Sequence, residues 1–187
     1  MAKAKKVSVY VPEPEVAPVR LDIGCGKNPR EGFVGIDAID FGQAHVLDVR
    51  HGLPFADGSV DEIHSSHFVE HLTGAERIAF FNEVYRALKV GATAQIITPC
   101  WQHSCAYGDP THQWPPMSQW YPLYLNKAWR DVNAPHVGYV CDFDYILAGS
   151  WDPSIEGRNE EYRMMAMNSQ VNAWRDLIVT LTKRAES

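Results

Sequence analysis

No apolar run in this chain of 187 residues approaches the length of a membrane span, and no secretory hydrophobic stretch follows its basic start. Positive charge is not in surplus: the formal net charge is −6, whereas duplex nucleic-acid binders usually carry a basic face. The basic cluster Lys3, Lys5 and Lys6 reads as a solvated tail. Cysteine is scarce. Cys25, Cys100, Cys105 and Cys141 form neither a C-x-x-C pair nor a zinc spacing, so free thiols and no metal site are expected. Internal repeats and low-complexity blocks are missing too. What remains is an ordinary globular composition, long enough for one core and short for two, expected as a single cytoplasmic domain over residues 1–187.

The segments that are present alternate strand and turn signals. "VSVYVPEPEVAPVR" reads as an extended lead-in over residues 1–18, with a short edge strand at Val7 to Val11. "VRLDI", "FVGID", "AHVLDV" and "VDEIHSS" read as strands. A helix follows: Thr73 and Glu76 have capping-box spacing, and Ile78, Phe81, Val84, Tyr85 and Leu88 recur on one face. "TAQIITP" is a fifth strand, and "YVCDFDYIL" and "RDLIVTLTK" are two more. Residues 100–138 read as a long loop and a helix, and residues 149–170 as an insertion. The alternation predicts an α/β protein with a parallel sheet.

The glycine loop "LDIGCGKNPREGFVGID", Leu21 to Asp37, carries the chemistry. A dinucleotide site needs G-x-G-x-x-G opening into a helix whose N-terminus holds the pyrophosphate. Here the third glycine position is Asn28, and about nine residues separate Ile23 from the next strand, too few for a helical crossover. No G-K-[ST] follows, so a phosphate-binding P-loop is excluded as well. The acids Asp22, Asp37 and Asp48 ring the strand ends. Glycines, acids and no helix suit a nucleoside that carries cations and no phosphate, as S-adenosylmethionine does.

Four blocks, "LDIGCG", "GID", "LDVRHGLPFADGSVDEIHSSHFVEHL" and "NEVYRALKVGATAQIITP", resemble in order the class I S-adenosylmethionine-dependent methyltransferases, in their type 11, Rossmann-like branch. The likeness covers roughly Val19 to Pro99, and the lost helix is similar to a compact sub-branch of phage and bacterial enzymes. It implies a three-layer Rossmann-like sandwich whose seven-stranded, mostly parallel sheet has its last strand antiparallel. It also implies site roles. Asp22, Gly24, Cys25 and Gly26 would form the loop against the methionine and ribose. Asp37, followed by Ala38, would accept the ribose hydroxyls. Asp48 with Val49 would hold the adenine, and Ser65 would line the reacting end. The product would be S-adenosylhomocysteine.

Methyl transfer from a sulfonium needs position and desolvation more than acid–base work. The candidate bases are His67, Asp109 and His112, with His71 and His103 behind them, because imidazole titrates near neutrality. In "GDPTHQW" a proline-stiffened turn would aim Asp109 and His112 at the cofactor. Glu70 is equally favoured by a helix dipole. Trp101, Tyr107, Trp114 and Trp120 would floor an acceptor pocket or fill a minor core under the loop. A small-molecule acceptor is the first expectation; a nucleic-acid base, a protein side chain, or cofactor binding without catalysis are the alternatives. Oligomeric state is not legible.

Overall fold

The computed structural model describes residues 17–185; the lysine cluster and the edge strand expected at Val7 to Val11 lie outside the described residues. The strands are β1 (Arg20–Ile23), β2 (Val34–Asp37), β3 (His45–Val46) and β4 (Val60–Ser66). After helix α1 (Gly74–Ala87) comes β5 (Leu88–Pro99), then the short helices α2 (Cys105–Gly108), α3 (Tyr121–Leu125) and α4 (Lys127–Asn133). β6 (Phe143–Trp151), α5 (Pro153–Glu156), α6 (Glu160–Ser169) and β7 (Trp174–Lys183) complete the fold. The seven strands form one sheet in the order β3-β2-β1-β4-β5-β7-β6. β7 runs antiparallel to both neighbours and the rest pair parallel, as the resemblance implied.

One face of the sheet is covered. Leu21 and Ile23, Ile63, Ala94 and Ile96, and Leu177, Val179 and Leu181 are fully buried there. Above them lies α1, whose capping box forms as its spacing predicted: Thr73 accepts from the Glu76 amide and Glu76 accepts from the Thr73 amide. The buried stripe differs slightly from the sequence expectation. Phe80, Phe81, Val84 and Tyr85 are inside, and Ile78 is half-buried at the rim. Leu88 ends the helix and opens β5 with no turn between. Phe81 meets Tyr121 and Tyr139, and Tyr85 meets Phe143, so the 121–143 region packs on this same layer.

The other face alternates half-buried and exposed positions: Gln95 and Ile97 on β5, Ile178 and Thr180 on β7, Asp144 and Ile146 on β6. The short β1–β2 connection crosses this face where a helix would otherwise lie, and Arg30 from it reaches Gln95.

Several boundaries depart from the sequence expectation, among them the starts of β5 at Leu88 rather than Thr93 and of β6 at Phe143 rather than Tyr139. "AHVLDV" pairs over two residues only, because Asp48 caps a 3-10 turn at Val49–His51 and bends the chain away. The helix expected within residues 100–138 is two helices, α3 and α4, since Asn126 leaves helical geometry and accepts the Trp129 amide to cap the second. The expected loop 100–138 thus holds three short helices. Gly149–Trp151 belong to β6, so the expected insertion 149–170 starts later, and two capped helices form there. Among the described residues no helix is long and apolar enough to cross a membrane.

Candidate functional site

The glycine loop leaves the C-terminal end of β1. Gly24 and Gly26 have φ of +70° and +55°, a region costly for any side chain that carries a Cβ. A Cβ at Gly24 would stand 2.6 Å from the Phe68 side chain, whereas one at Gly26 would meet nothing within 4 Å. Gly24 is therefore needed for packing, and Gly26 keeps the outer surface of the loop open. The amides of Gly24 and Cys25 both donate to the Ile36 carbonyl, which clips the loop to β2.

The acids divide into those that hold the loop and those that face outward. Asp22 is buried, with one oxygen accepting the Arg30 amide at 2.7 Å and the other 2.7 Å from His64 Nδ1. Its carboxylate braces the loop from the uncovered face of the sheet. Asp37 accepts the Gly26 amide at 2.9 Å and the Ile39 amide at 3.0 Å, and it is only half-buried. Each of its oxygens keeps acceptor capacity. Ala38, next along, is exposed. Burial, with Asp22 and Asp37 nearby, pushes the Cys25 thiol pKa up, which disfavours its thiolate. All four cysteines are free, as expected.

Three expected cofactor contacts are not disposed as the resemblance implied. Asp48 accepts from the backbone and guanidinium of Arg50, which holds both oxygens and brings its carboxyl pKa down to about 2. The Val49 side chain is core. Ser65 is fully buried, because its register with Ile23 and Ile96 turns it under α1. Its hydroxyl has no hydrogen-bond partner among the described residues.

The acceptor-side candidates gather at the C-terminal ends of β4 and β5. His67 stands at φ +53°, rare for a residue with a Cβ, and half its side chain is exposed. Nδ1 lies 3.3 Å from Glu70 Oε1 and Nε2 lies 3.8 Å from Asp176 Oδ1. The Glu70 carboxylate holds the His67 pKa above its ordinary value, against the opposing effect of burial. His112 does not point with Asp109. It meets His71 edge to face, ring centroids 4.8 Å apart. Asp109 is exposed and turned onto Thr111, accepting its amide at 2.8 Å and its hydroxyl at 2.6 Å. Asp109 closes an Asx turn onto Thr111, so its carboxylate is already engaged, although it lines the same hollow as His112.

His103 is structural: buried, it accepts the Cys105 amide and reaches Asp152 at 3.2 Å, pinning α5 to the 100–120 segment. Trp101, Tyr107, Trp114 and Trp120 are 40–78% exposed, so they are no minor core. Tyr107 and Trp114 line a hollow of about 240 Å³ with His112, Asp109 and Gln113. A larger hollow, of about 620 Å³, lies away from this edge among Asp57, Glu83, Arg86 and Lys183.

Sequence reasoning missed Arg77, Thr111 and Asp176. Arg77 is buried on α1 and donates to the carbonyls of Val69, Glu70, Gln113 and Pro115. It stitches the segment after β4 to the segment after α2. Its place in the apolar stripe of α1 was the available signal, since a buried arginine must find acceptors.

Residues 21–96 match the family model described as a methyltransferase domain. A search of the curated proteins found no match. Several solved structures are similar in fold. A SAM-dependent methyltransferase from Archaeoglobus fulgidus aligns with a TM-score of 0.65 at 20% identity, over 89% of this chain and 86% of that one. A chain from the complex of the Haloferax volcanii Trm112 methyltransferase activator with a methyltransferase aligns at 0.57 and 15% identity, over 93% and 85%. The YcgJ protein from Bacillus subtilis aligns at 0.52 and 16% identity, over 91% and 94%. At these identities the likeness is one of fold, and the strand order is that of the Rossmann-like class I methyltransferases. The resemblance carried by the four sequence blocks stands.

Proposed function

We propose that this chain, whose residues 21–96 match a methyltransferase domain, is an S-adenosylmethionine-dependent methyltransferase acting on a small-molecule acceptor. The observation that carries the cofactor is the joint made by Gly26 and Asp37. The loop after β1 and the carboxylate ending β2 are tied at 2.9 Å, with Gly26 open on its outer side and Asp37 half-exposed beside it. A ribose edge laid there meets bare backbone at Gly26 and the spare lone pairs of Asp37. No helix N-terminus follows the loop, which disfavours a pyrophosphate.

The acceptor enters on the other side of Phe68. His67 and His112 are the imidazoles disposed there, and the hollow lined by Tyr107, His112 and Trp114 takes a small organic molecule. The acceptor attacks the sulfonium methyl carbon in line, the carbon–sulfur bond breaks, and the sulfur leaves with the electron pair as S-adenosylhomocysteine. Asp109 acts at one remove, through Thr111.

Thermal shifts with S-adenosylhomocysteine, NAD and ATP side by side test the cofactor, since a ligand of the native state raises the melting point by mass action. A shift with S-adenosylhomocysteine alone is the expected result; a larger one with NAD overturns it. Labelled S-adenosylmethionine with pooled small molecules, RNA and protein then tests the acceptor. Label in the small-molecule pool is expected, and label in RNA or protein instead rejects that acceptor class.

A further inference from the structure

Glu70, His71 and His112 each present a ligand atom within 4.8 Å of the other two. Three further observations point the same way. Glu70 is only 3% exposed, neither of its carboxylate oxygens makes a hydrogen bond of good geometry among the described residues, and its nearest cation is the half-exposed His67 imidazole, 3.3 Å from Oε1. One half-exposed imidazole on Oε1 leaves Oε2 without a hydrogen-bond partner, so this buried carboxylate favours a further cation. Arg77 is no substitute, because its guanidinium is committed to four backbone carbonyls.

The second observation is the proton bookkeeping of the two imidazoles. His112 Nδ1 lies 3.1 Å from the Ala106 carbonyl, which can only accept, so Nδ1 carries the hydrogen. His71 Nδ1 lies 2.8 Å from Thr111 Oγ1. The single Thr111 hydroxyl hydrogen goes to Asp109, 2.6 Å away and acceptor-only, so Oγ1 accepts from His71 Nδ1–H. In the neutral form both rings then carry their hydrogen on Nδ1 and offer Nε2 as the ligand atom, and a donated Nδ1–H is the support that metal-binding histidines typically have.

Third, the two ligand-bearing segments are fastened to each other. The Gln113 amide donates to the Glu70 carbonyl at 2.8 Å, and Arg77 spans the same two segments.

We propose that Glu70, His71 and His112 form a binding site for one divalent first-row transition metal ion. Two imidazoles and one carboxylate suit zinc, manganese, iron or cobalt, and are too nitrogen-rich for magnesium or calcium. Donors each about 2.1 Å from one ion stand roughly 3.4 Å apart, so the widest pair closes by up to about 1.4 Å on loading, within reach of side-chain rotation. Glu70 holds the ion from inside. The half-buried histidines leave its open positions toward the hollow at His112, where water or an oxygen of a bound molecule completes the shell. The proposal corrects the expectation of no metal site. Its reason for being missed is plain: His112 lies far along the chain from the Glu70-His71 pair, and no local spacing connects them.

The test uses chelator-treated full-length protein titrated with Co²⁺, read by its visible absorption, and with Zn²⁺, read by calorimetry. One equivalent of each is expected to bind. His112→Asn should weaken binding by about a hundredfold or more, and Thr111→Val, which removes only the support of His71, by about tenfold. Glu70→Gln keeps the shape and removes a buried charge, so it should lose metal affinity while its metal-free melting point holds or rises. His136→Asn, an exposed histidine elsewhere, should bind as the parent does. Parent protein that takes up no more cobalt than the His71→Asn/His112→Asn double variant overturns the proposal. So does binding that is lost equally with His136→Asn. None of these readouts depends on methyl transfer, so the metal site and the proposed activity stand or fall separately.

Discussion

Asp37 Oδ2 accepts the Gly26 amide hydrogen at 2.9 Å, joining the end of β2 to the loop that leaves β1. The carboxylate is thus both a clamp on the loop and the proposed acceptor for the ribose. Asp37→Asn removes the charge and sets a donor where an acceptor is needed. Hydrogen bonds to a charged acceptor contribute roughly 1.5–3 kcal/mol each. Calorimetry should show S-adenosylhomocysteine binding weakened by about one to two orders of magnitude, at about 1.4 kcal/mol per tenfold. With 2′-deoxy S-adenosylhomocysteine much of the gap between the two proteins should close. Ligand-free stability should also fall, because the amides of both Gly26 and Ile39 rest on this side chain. Equal affinities for parent and variant would reduce Asp37 to the clamp alone.

Gly24 and Gly26 should respond differently to alanine. At Gly24 the new Cβ meets Phe68 at 2.6 Å on a left-handed backbone, so unfolding stability should drop by about 2–4 kcal/mol. At Gly26 there is open space, and only about 1 kcal/mol of backbone cost is expected. The Gly26→Ala methyl points where the cofactor would approach, so its main effect should be on S-adenosylhomocysteine affinity. Urea unfolding and calorimetry on both variants separate the two; the reverse pattern would place the cofactor elsewhere.

Arg50 holds Asp48 closed. With the carboxyl pKa near 2, Asp48 is charged through the whole range where the protein would be assayed. If it also binds adenine, the guanidinium must swing aside, which its exposed position allows. Arg50→Ala should then tighten S-adenosylhomocysteine binding a few-fold and Asp48→Ala should weaken it. In Arg50→Ala the Asp48 carboxyl pKa should also rise from about 2 toward the ordinary value, though not fully, because the backbone amide at position 50 still donates to it; NMR titration reads the change. Unchanged affinity in both variants would leave Asp48 as the cap of a turn and nothing more.

Arg77→Met keeps the aliphatic stem and strips the donors from four backbone carbonyls. A loss of about 3 kcal/mol or more is expected, since buried acceptors left unpaired cost roughly 1–3 kcal/mol each and some will reach water. The urea midpoint measures it. A near-neutral result would mean that the segments bearing Glu70 and His112 hold together without this stitch.

His67→Gly suits the φ of +53° that His67 adopts, which offsets part of the loss of the His67–Glu70 ion pair, so the fold should be kept at somewhat lower stability. Turnover should fall while S-adenosylhomocysteine affinity stays within about twofold, since His67 is proposed to face the acceptor. A collapse of cofactor affinity with an intact melting curve would move His67 to the cofactor side.

Much of this molecule is written locally. The alternation of β-branched runs with glycine turns is a short-range signal, and so is the Thr73–Glu76 cap; each concerns neighbours within a few residues. The missing crossover helix could be counted off between Ile23 and Phe33, and that count alone argued against a dinucleotide. The resemblance nominated Asp37, Gly24 and Gly26, and residue type agreed with it, because positive φ and a strand-end carboxylate are properties of single positions. What the tertiary structure decided is where side chains with several possible partners finally turn. Asp48 met Arg50, Asp109 met Thr111, and Ser65 rotated under α1 with the parity of its strand. Asp22 was taken by Arg30 and His64 across the sheet. Glu70, His71 and His112 became one cluster where Arg77 and the Gln113 amide fasten two distant segments to each other. A polar side chain satisfies whichever partner the packing brings within about 3 Å, and that choice is made by the whole fold rather than by its own stretch of sequence.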